Sequence, residues 1–469
     1  MIDLLNNLFN NLKKVTKNLE AILEPRQKYH LEKFPLLKSQ DLSLQQEPDY
    51  QLAEQLSIER LEIPETPAST SPELIDVKEL IKQLSVEELC QTAEDYFARL
   101  TDWNYHLSKP FASINETPEL LLGFSQVLQG LQILPGMAVL DFGAGSCWIS
   151  RYLTQLGCHV IALDVSPSAL KMGQELYHRQ PVIGDRPPPQ FLQFNGYQIN
   201  LPDESVDRII CLDAFHHVPN PDCVLSELCR ILKQGGIAGF SEPGEYHSQS
   251  PQSQHEMRNF KVIENDIDVK EIWGYAQKIG FAKLELAIFN ALPLQVNLEK
   301  FADFLQGGET IDNYIQATLN SMENRRVFFL HKGDAPIPDS RQRAGLAAQL
   351  DIKAYETKLK EGLSLRTDVT VTNIGNIVWL STTAQVGAVN LGIHLLDKSG
   401  KQINYDYFRQ ALIPNEDRPI LPKETLNFEL QVPLPAKGSY ILEFDLVSEG
   451  VCWFSLNGSL TTRIEIEVI

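Results

Sequence analysis

Residues 139–150 read VLDFGAGSCWIS, in which an apolar strand ends at Asp141 and a turn carrying Gly143 and Gly145 leads into a helix. Glycine suits such a turn because the backbone must bend tightly and approach a ligand with no Cβ in the way. The helix start presents N–H groups without intrahelical partners, a natural seat for a carboxylate. One strand later, VIALDVS places Asp164 at about the distance where an acidic side chain meets a ribose diol. A strand-terminal Asp, DxGxG, a helix and a second strand ending in Asp together point to a nucleoside-containing ligand. A dinucleotide fits less well. Trp148 stands where the last glycine of GxGxxG would fall, so a pyrophosphate is poorly accommodated.

Those residues need a sheet to hold them. Between about 118 and 240, MAVLDF, HVIALDV, PQFLQF, SVDRIICLD and GGIAGFSE alternate with helical stretches such as 147–157, 167–179 and 221–233. This alternation predicts a parallel sheet covered by helices on both faces. KLELAIFN (283–290) and RRVFFLHKG (325–333) add two strand candidates. Upstream, 76–100 reads as an amphipathic helix with Ser85 and Glu88 spaced as a capping box.

On these residues the chain resembles the class I S-adenosylmethionine-dependent methyltransferases of small-molecule type, over about 118–333. LPDESVDRIICLDAFHHVPNPDCVLSELCRILKQGG is similar to the family's fourth strand, His-His turn, following helix and LKxGG turn. The resemblance implies a Rossmann-like seven-stranded α/β sheet and S-adenosylmethionine as cofactor. It further implies that Asp141, Gly143 and Gly145 surround the methionine part and that Asp164 takes the ribose hydroxyls. Asn195 and Gly196 would flank the adenine, and Asp213 would lie beside the methionine end. The sequence departs from the family pattern at Cys147, the place of a third glycine, and at Asn195, where an acid is common.

Ligands of open α/β sheets sit at the carboxyl ends of the parallel strands. The loops after 142, 164, 195, 212 and 241 therefore belong to the active face, and the connection 290–325, with helix candidates at 297–306 and 310–322, could form a lid. Methyl transfer from a sulfonium depends on positioning and desolvation. A hydroxyl acceptor is helped by a general base, for which His216, Glu242 and His247 are the candidates. His217 reads as a histidine that fixes its turn. Tyr96, Trp103 and Tyr105 either close over the site or belong to the core.

Beyond about 360 the text changes to period-2 alternation, as in Val389, Leu391, Ile393 and Leu395, with turn signals such as DKSG and LNGS. That predicts an antiparallel β-sandwich over 360–469. NIGNIVWL and GVCWFSLNGS look like Ig-like sandwiches of bacterial polysaccharide-processing proteins, which tilts the acceptor toward a saccharide or glycolipid. The other expected regions are an amphipathic helix region over 1–35, a flexible linker over 36–75 rich in Gln, Pro, Glu, Ser and Thr, and a methyltransferase domain over 76–355. Leu5, Leu8, Leu12, Val15, Leu19 and Ile22 form a stripe that either lies peripherally on a membrane or packs on a helix.

The 469 residues carry 61 acidic against 41 basic side chains, a net charge of −20, which argues against nucleic acid as a partner. The 7 cysteines fit neither a disulfide framework nor a zinc hook, so buried thiols in a reducing cytoplasm and no metal are expected. Together these readings predict a cytoplasmic methyltransferase for a small-molecule or carbohydrate-linked acceptor, acting at oxygen in surface polysaccharide biosynthesis. A lipid or quinone-like acceptor and a non-catalytic glycan-binding scaffold stand as alternatives.

Overall fold

The protein is described by a computed structural model covering residues 74–469 apart from 290–294, 309, 336 and 415. The stripe over 2–23 and nearly all of the linker expected over 36–75 lie outside the described residues. Among the described residues, no helix is long and apolar enough to cross a membrane.

A seven-stranded sheet runs in the order β3-β2-β1-β4-β5-β7-β6. Its strands are β1 (Ala138–Phe142), β2 (His159–Asp164), β3 (Gln190–Gln193), β4 (Val206–Leu212), β5 (Leu232–Pro243), β6 (Lys283–Leu286) and β7 (Arg325–His331). β7 alone is antiparallel to its neighbours β5 and β6; β1 to β5 pair in parallel. The strand order reverses between β1 and β4, so a crevice opens there at the carboxyl ends of the strands. Val139, Leu140, Ile209 and Ile210 are fully buried, as the uninterrupted apolar runs of a doubly covered parallel sheet require. One face packs on helices Pro221–Ile231 and Val269–Ile279, the other on helix Thr117–Leu131 and helix Trp148–Gln155.

The amphipathic stretch over 76–100 forms two helices, Val77–Gln83 and Val86–Arg99. The break falls where the capping box sits. Ser85 Oγ accepts the Glu88 N–H at 3.2 Å, and the Glu88 carboxylate accepts the Ser85 N–H at 2.7 Å. That box is the start signal of the second helix and interrupts the first. The expected lid contains helices Leu298–Leu305 and Thr310–Asn324.

The C-terminal region builds two further sheets, one of order β13-β10-β8 and one of order β12-β11-β14-β16-β9 with β15 paired to β14. The strands are β8 (Ala348–Ala354), β9 (Lys358–Leu359), β10 (Ser364–Asn373), β11 (Val389–Asp397), β12 (Gln402–Ala411), β13 (Thr425–Pro433), β14 (Gly438–Ser448), β15 (Cys452–Trp453) and β16 (Thr462–Val468). Their inward residues share one core around Trp379, Leu391, Phe444 and Phe454. Two features differ from the sequence expectation. β8 falls before the boundary expected at 355–360 yet pairs with β10, because its short alternation carries Ile352 into that core. β9 runs parallel to β16 in an otherwise antiparallel sheet.

Candidate active site

The loop after β1 is sewn to the end of β2. Gly143 and Ala144 donate their N–H groups to the Leu163 carbonyl at 2.9 and 3.0 Å. Gly145 donates to Asp164 Oδ2 at 2.8 Å, and Asp164 Oδ1 accepts from the Ser166 N–H at 2.8 Å. Gly143 has φ +67, and a Cβ there would stand 2.3 Å from the Ala214 Cβ, so no larger residue fits. Cys147, in the third-glycine position, adopts φ 59 at the N-cap of helix Trp148–Gln155. Its thiol occupies space left by Gly173 on the next helix, where a Cβ would come within 2.2 Å of Sγ.

Asp141 is only 1% exposed and accepts the Ser150 hydroxyl at 2.5 Å. Its carboxylate is held by the first turn of helix Trp148–Gln155 and does not line the cavity described below. Burial, reinforced by the charge of Asp164 and opposed by the Ser150 hydrogen bonds, pushes its carboxyl up to about 7.

A cavity of about 320 Å³ lies at the carboxyl ends of β1, β2 and β4, where Gly143, Gly145, Asp164, Gly196 and Asp213 all line it. Asn195 does not. It is exposed, and its amide oxygen accepts the N–H groups of Tyr197 and Gln198 at 2.9 and 2.8 Å. The acceptor expected to reach an adenine edge is thus spent on the local turn, and its neighbours Phe194 and Gly196 face the cavity. Asp213, at φ 49, is ion-paired with Arg325 at 2.8 Å, and Arg325 also binds Glu119 at 2.9 Å.

The three residues expected as general bases lie outside this lining. Glu242 is wholly buried, and its carboxylate takes the N–H groups of Ala214, Phe215 and His216 at 3.1, 2.9 and 3.3 Å. It also holds His216 Nδ1 at 2.7 Å, so it is the post on which the turn after β4 is built. His216 is 5% exposed, and burial drives its imidazole to the neutral form. His247 is turned to Glu264, with Nε2 2.7 Å from Oε2.

Other groups take their place around the cavity. His217 lines it while its Nδ1 meets the Ile263 carbonyl at 2.7 Å, so it both fixes the turn and faces the ligand space. His106, Lys109 and Glu256 also line it. Burial, with a smaller push from Lys109, lowers the His106 imidazole to about 4, while burial raises the Glu256 carboxyl. Tyr96 reaches the cavity; Trp103 instead packs into the core with its indole N–H on the Leu100 carbonyl, and Tyr105 bonds Glu116. Arg325 was open to sequence reasoning, since an antiparallel last strand must begin on the active face. Glu264 carried no sequence signal.

In the sandwich, Trp379 and Phe454 are fully buried and Trp453 is 7% exposed, so the aromatic text that suggested a glycan platform is mostly core. Tyr405 remains exposed, with its ring stacked 4.5 Å from His394.

Residues 140–240, which span β1 to β5 almost completely, match the family model described as a methyltransferase domain. The chain is 24% identical over 192 residues to a sterol 24-C-methyltransferase of Yarrowia lipolytica, covering 38% of this chain and 48% of that protein. It is 28% identical over 149 residues to a ubiquinone biosynthesis O-methyltransferase of Paracidovorax citrulli, covering 31% and 58%. The chain thus spans about half the length of these curated relatives. A solved Haemonchus contortus phosphoethanolamine N-methyltransferase with bound S-adenosylhomocysteine is similar at TM-score 0.38 and 15% identity, covering 53% of this chain and 61% of that one.

Proposed function

We propose that this chain is an S-adenosylmethionine-dependent methyltransferase whose acceptor is a small molecule with an apolar body, of lipid or quinone-like type. The observation that carries the reading is the glycine loop bound to Asp164 at the mouth of a cavity on the β1/β4 switch point. The match of residues 140–240 to a methyltransferase domain supports it.

The residues present fit the cofactor. Each Asp164 oxygen holds one N–H and can accept another hydrogen bond, so the carboxylate would take ribose hydroxyls. Gly143 and Gly145 keep the loop free of side chains, and Phe194 with Gly196 would flank an adenine. Asp213, steadied by Arg325, places a carboxylate in the lining beside the glycine loop. When bound, S-adenosylmethionine supplies a methyl group activated on sulfonium.

Tyr96, Phe97, Leu120 and Val262 give the acceptor side of the cavity apolar walls that orient a substrate and exclude water. His217 and Glu256 stand in the lining as proton acceptors for a hydroxyl, while His106, lowered to about 4 by burial, is neutral there and a weak base. The relatives named for sterol and ubiquinone biosynthesis favour an apolar acceptor, one being a C-methyltransferase and the other an O-methyltransferase. A carbohydrate-linked acceptor in polysaccharide biosynthesis loses support, because Trp379, Trp453 and Phe454 of the sandwich are buried and only Tyr405 of its aromatics named above stays exposed. A membrane-dissolved acceptor would suit a cytoplasmic enzyme held at the inner membrane face by the 2–23 stripe.

The test is a labelled-methyl assay of the full chain against quinols, sterols, lipid extracts, nucleotide sugars and lipid-linked sugars, with calorimetry of S-adenosylmethionine binding. Transfer into the quinol or lipid fraction is expected. Transfer to sugars alone would move the acceptor class, and cofactor binding without turnover on any acceptor would favour a glycan-binding scaffold. Failure to bind the cofactor would overturn the reading.

A further inference from the structure

Beside the cavity, titratable side chains from separate segments converge. His216 and His217 come from the turn after β4, His247 from the loop after β5, and Glu264 from the stretch following helix Pro251–Phe260. One ligand atom each from His216, His217 and Glu264 lies within 4.8 Å of the others. Glu264 Oε2 stands 3.7 Å from His216 Nε2 and 2.7 Å from His247 Nε2, and Oε1 stands 3.5 Å from His217 Nδ1. The His216 separation is close to the roughly 3.3–3.5 Å between ligand atoms that share an ion at zinc-like bond lengths, and His217, whose Nδ1 is committed to the Ile263 carbonyl, has its Nε2 left to ligate.

Glu264 is 4% exposed, and its Oε1 is buried without a hydrogen-bond partner. A buried carboxylate oxygen left unpaired is costly and calls for a cation or proton. The imidazoles are already braced as metal-ligating histidines are. With Nδ1–H donated to Glu242, His216 turns its Nε2 lone pair toward Glu264, and the Ile263 carbonyl holds His217 Nδ1 in the same way.

We propose that His216, His217 and Glu264, with His247 alongside, bind a divalent transition-metal ion. Imidazole and carboxylate donors suit zinc, cobalt, nickel or iron(II) better than magnesium or calcium. His217 lines the cavity, so the ion has a path of entry and its open coordination position faces the ligand space. Bound there, the ion would lower the pKa of an acceptor hydroxyl. That use rests on the methyl-transfer reading; the binding itself does not. The site departs from the absence of metal expected from the sequence, because neighbouring histidines direct both rings to one point only when the turn and Glu264 are folded around them.

The test is titration of the EDTA-stripped full chain with Co²⁺, read by visible absorbance. One equivalent should bind with the bands of a nitrogen–oxygen site. Glu264→Gln and His217→Ala should each weaken binding by roughly 10–100-fold, while His255→Ala, an exposed histidine on helix Pro251–Phe260, should leave it unchanged. Circular dichroism melting checks that each variant is folded. No uptake by the wild type, or undiminished uptake by both folded ligand variants, would overturn the proposal. Co²⁺ binding that survives a failed methyl-transfer assay would leave the metal site standing and remove only its catalytic use.

Discussion

In the α/β sheet, the nearly buried side chains of Asp141, Asp164, Glu242 and Glu264 gather around the carboxyl-end loops. In the sandwich, buried polar side chains serve main-chain groups close by. Asn373 Nδ2 donates to the Ile377 carbonyl at 2.9 Å, Ser448 Oγ to the Ser340 carbonyl at 2.6 Å, and Asp445 accepts the N–H groups of Leu446 and Ser455 at 2.7 and 3.2 Å. Both regions satisfy buried polar groups, as folded proteins must. The first sets buried ionisable groups beside a cavity, where their protonation and partners can be changed by a ligand, whereas the groove on the sandwich is lined by the exposed Lys358, Lys398, Glu465 and Glu467. Buried charge marks function where it converges on ligand space, and architecture where it is answered locally.

The largest effect that tests this contrast lies in the sandwich. Trp379→Ala should cost about 3–5 kcal/mol of stability in denaturant unfolding, because it empties a fully buried site. Cofactor affinity of the folded variant should be unchanged, and a parallel loss would break the separation of the two regions. Asp164→Ala should do the reverse, lowering S-adenosylmethionine affinity by about 2–3 kcal/mol, roughly 30–150-fold by calorimetry, through loss of charge-assisted hydrogen bonds.

Asp141 gives a smaller, pH-dependent effect. Its carboxyl holds a proton up to about 7 in the folded chain, whereas an ordinary Asp releases it near 4. Between those values the folded state binds more protons, so this group makes stability fall as pH rises. Asp141→Asn should therefore gain on the wild type between about pH 4 and about pH 7 in unfolding experiments; a constant difference would remove the burial argument. The smallest effect is expected from Tyr405→Ala on the sandwich surface, about 0.5–1.5 kcal/mol by thermal unfolding, from lost stacking on His394 and Trp453. A loss of activity in that variant with stability intact would restore a functional role to the sandwich.

Much of the cofactor end was legible because local rules decide it. Gly143 is dictated by backbone conformation and contact, and Asp164 by its place at a strand end. The capping box at Ser85 was equally local, although the helix break it causes needed the structure to be seen. The acceptor side was not legible. At the cofactor end, too, Asp141 and Asn195 carry the residue types that suit ligand contacts, yet neither lines the cavity: Asp141 Oδ2 accepts the Ser150 hydroxyl and Asn195 Oδ1 the Tyr197 and Gln198 N–H groups. His216 and His217 are neighbours in sequence, but the turn buries one behind Glu242 and presents the other to the cavity.

The sequence alone determined the helix-covered parallel sheet implied by its βα alternation, the glycine loop with its acidic partner strand, and the period-2 region that becomes the sandwich. Each depends on side-chain periodicity or on backbone demands that act within a few residues. Tertiary structure decided which acid faces ligand and which supports a loop, and it brought Glu264 to the histidines and Arg325 to Asp213. Those outcomes depend on segments far apart in the chain meeting at one end of a sheet. There, burial and hydrogen-bond competition set each group's direction and charge.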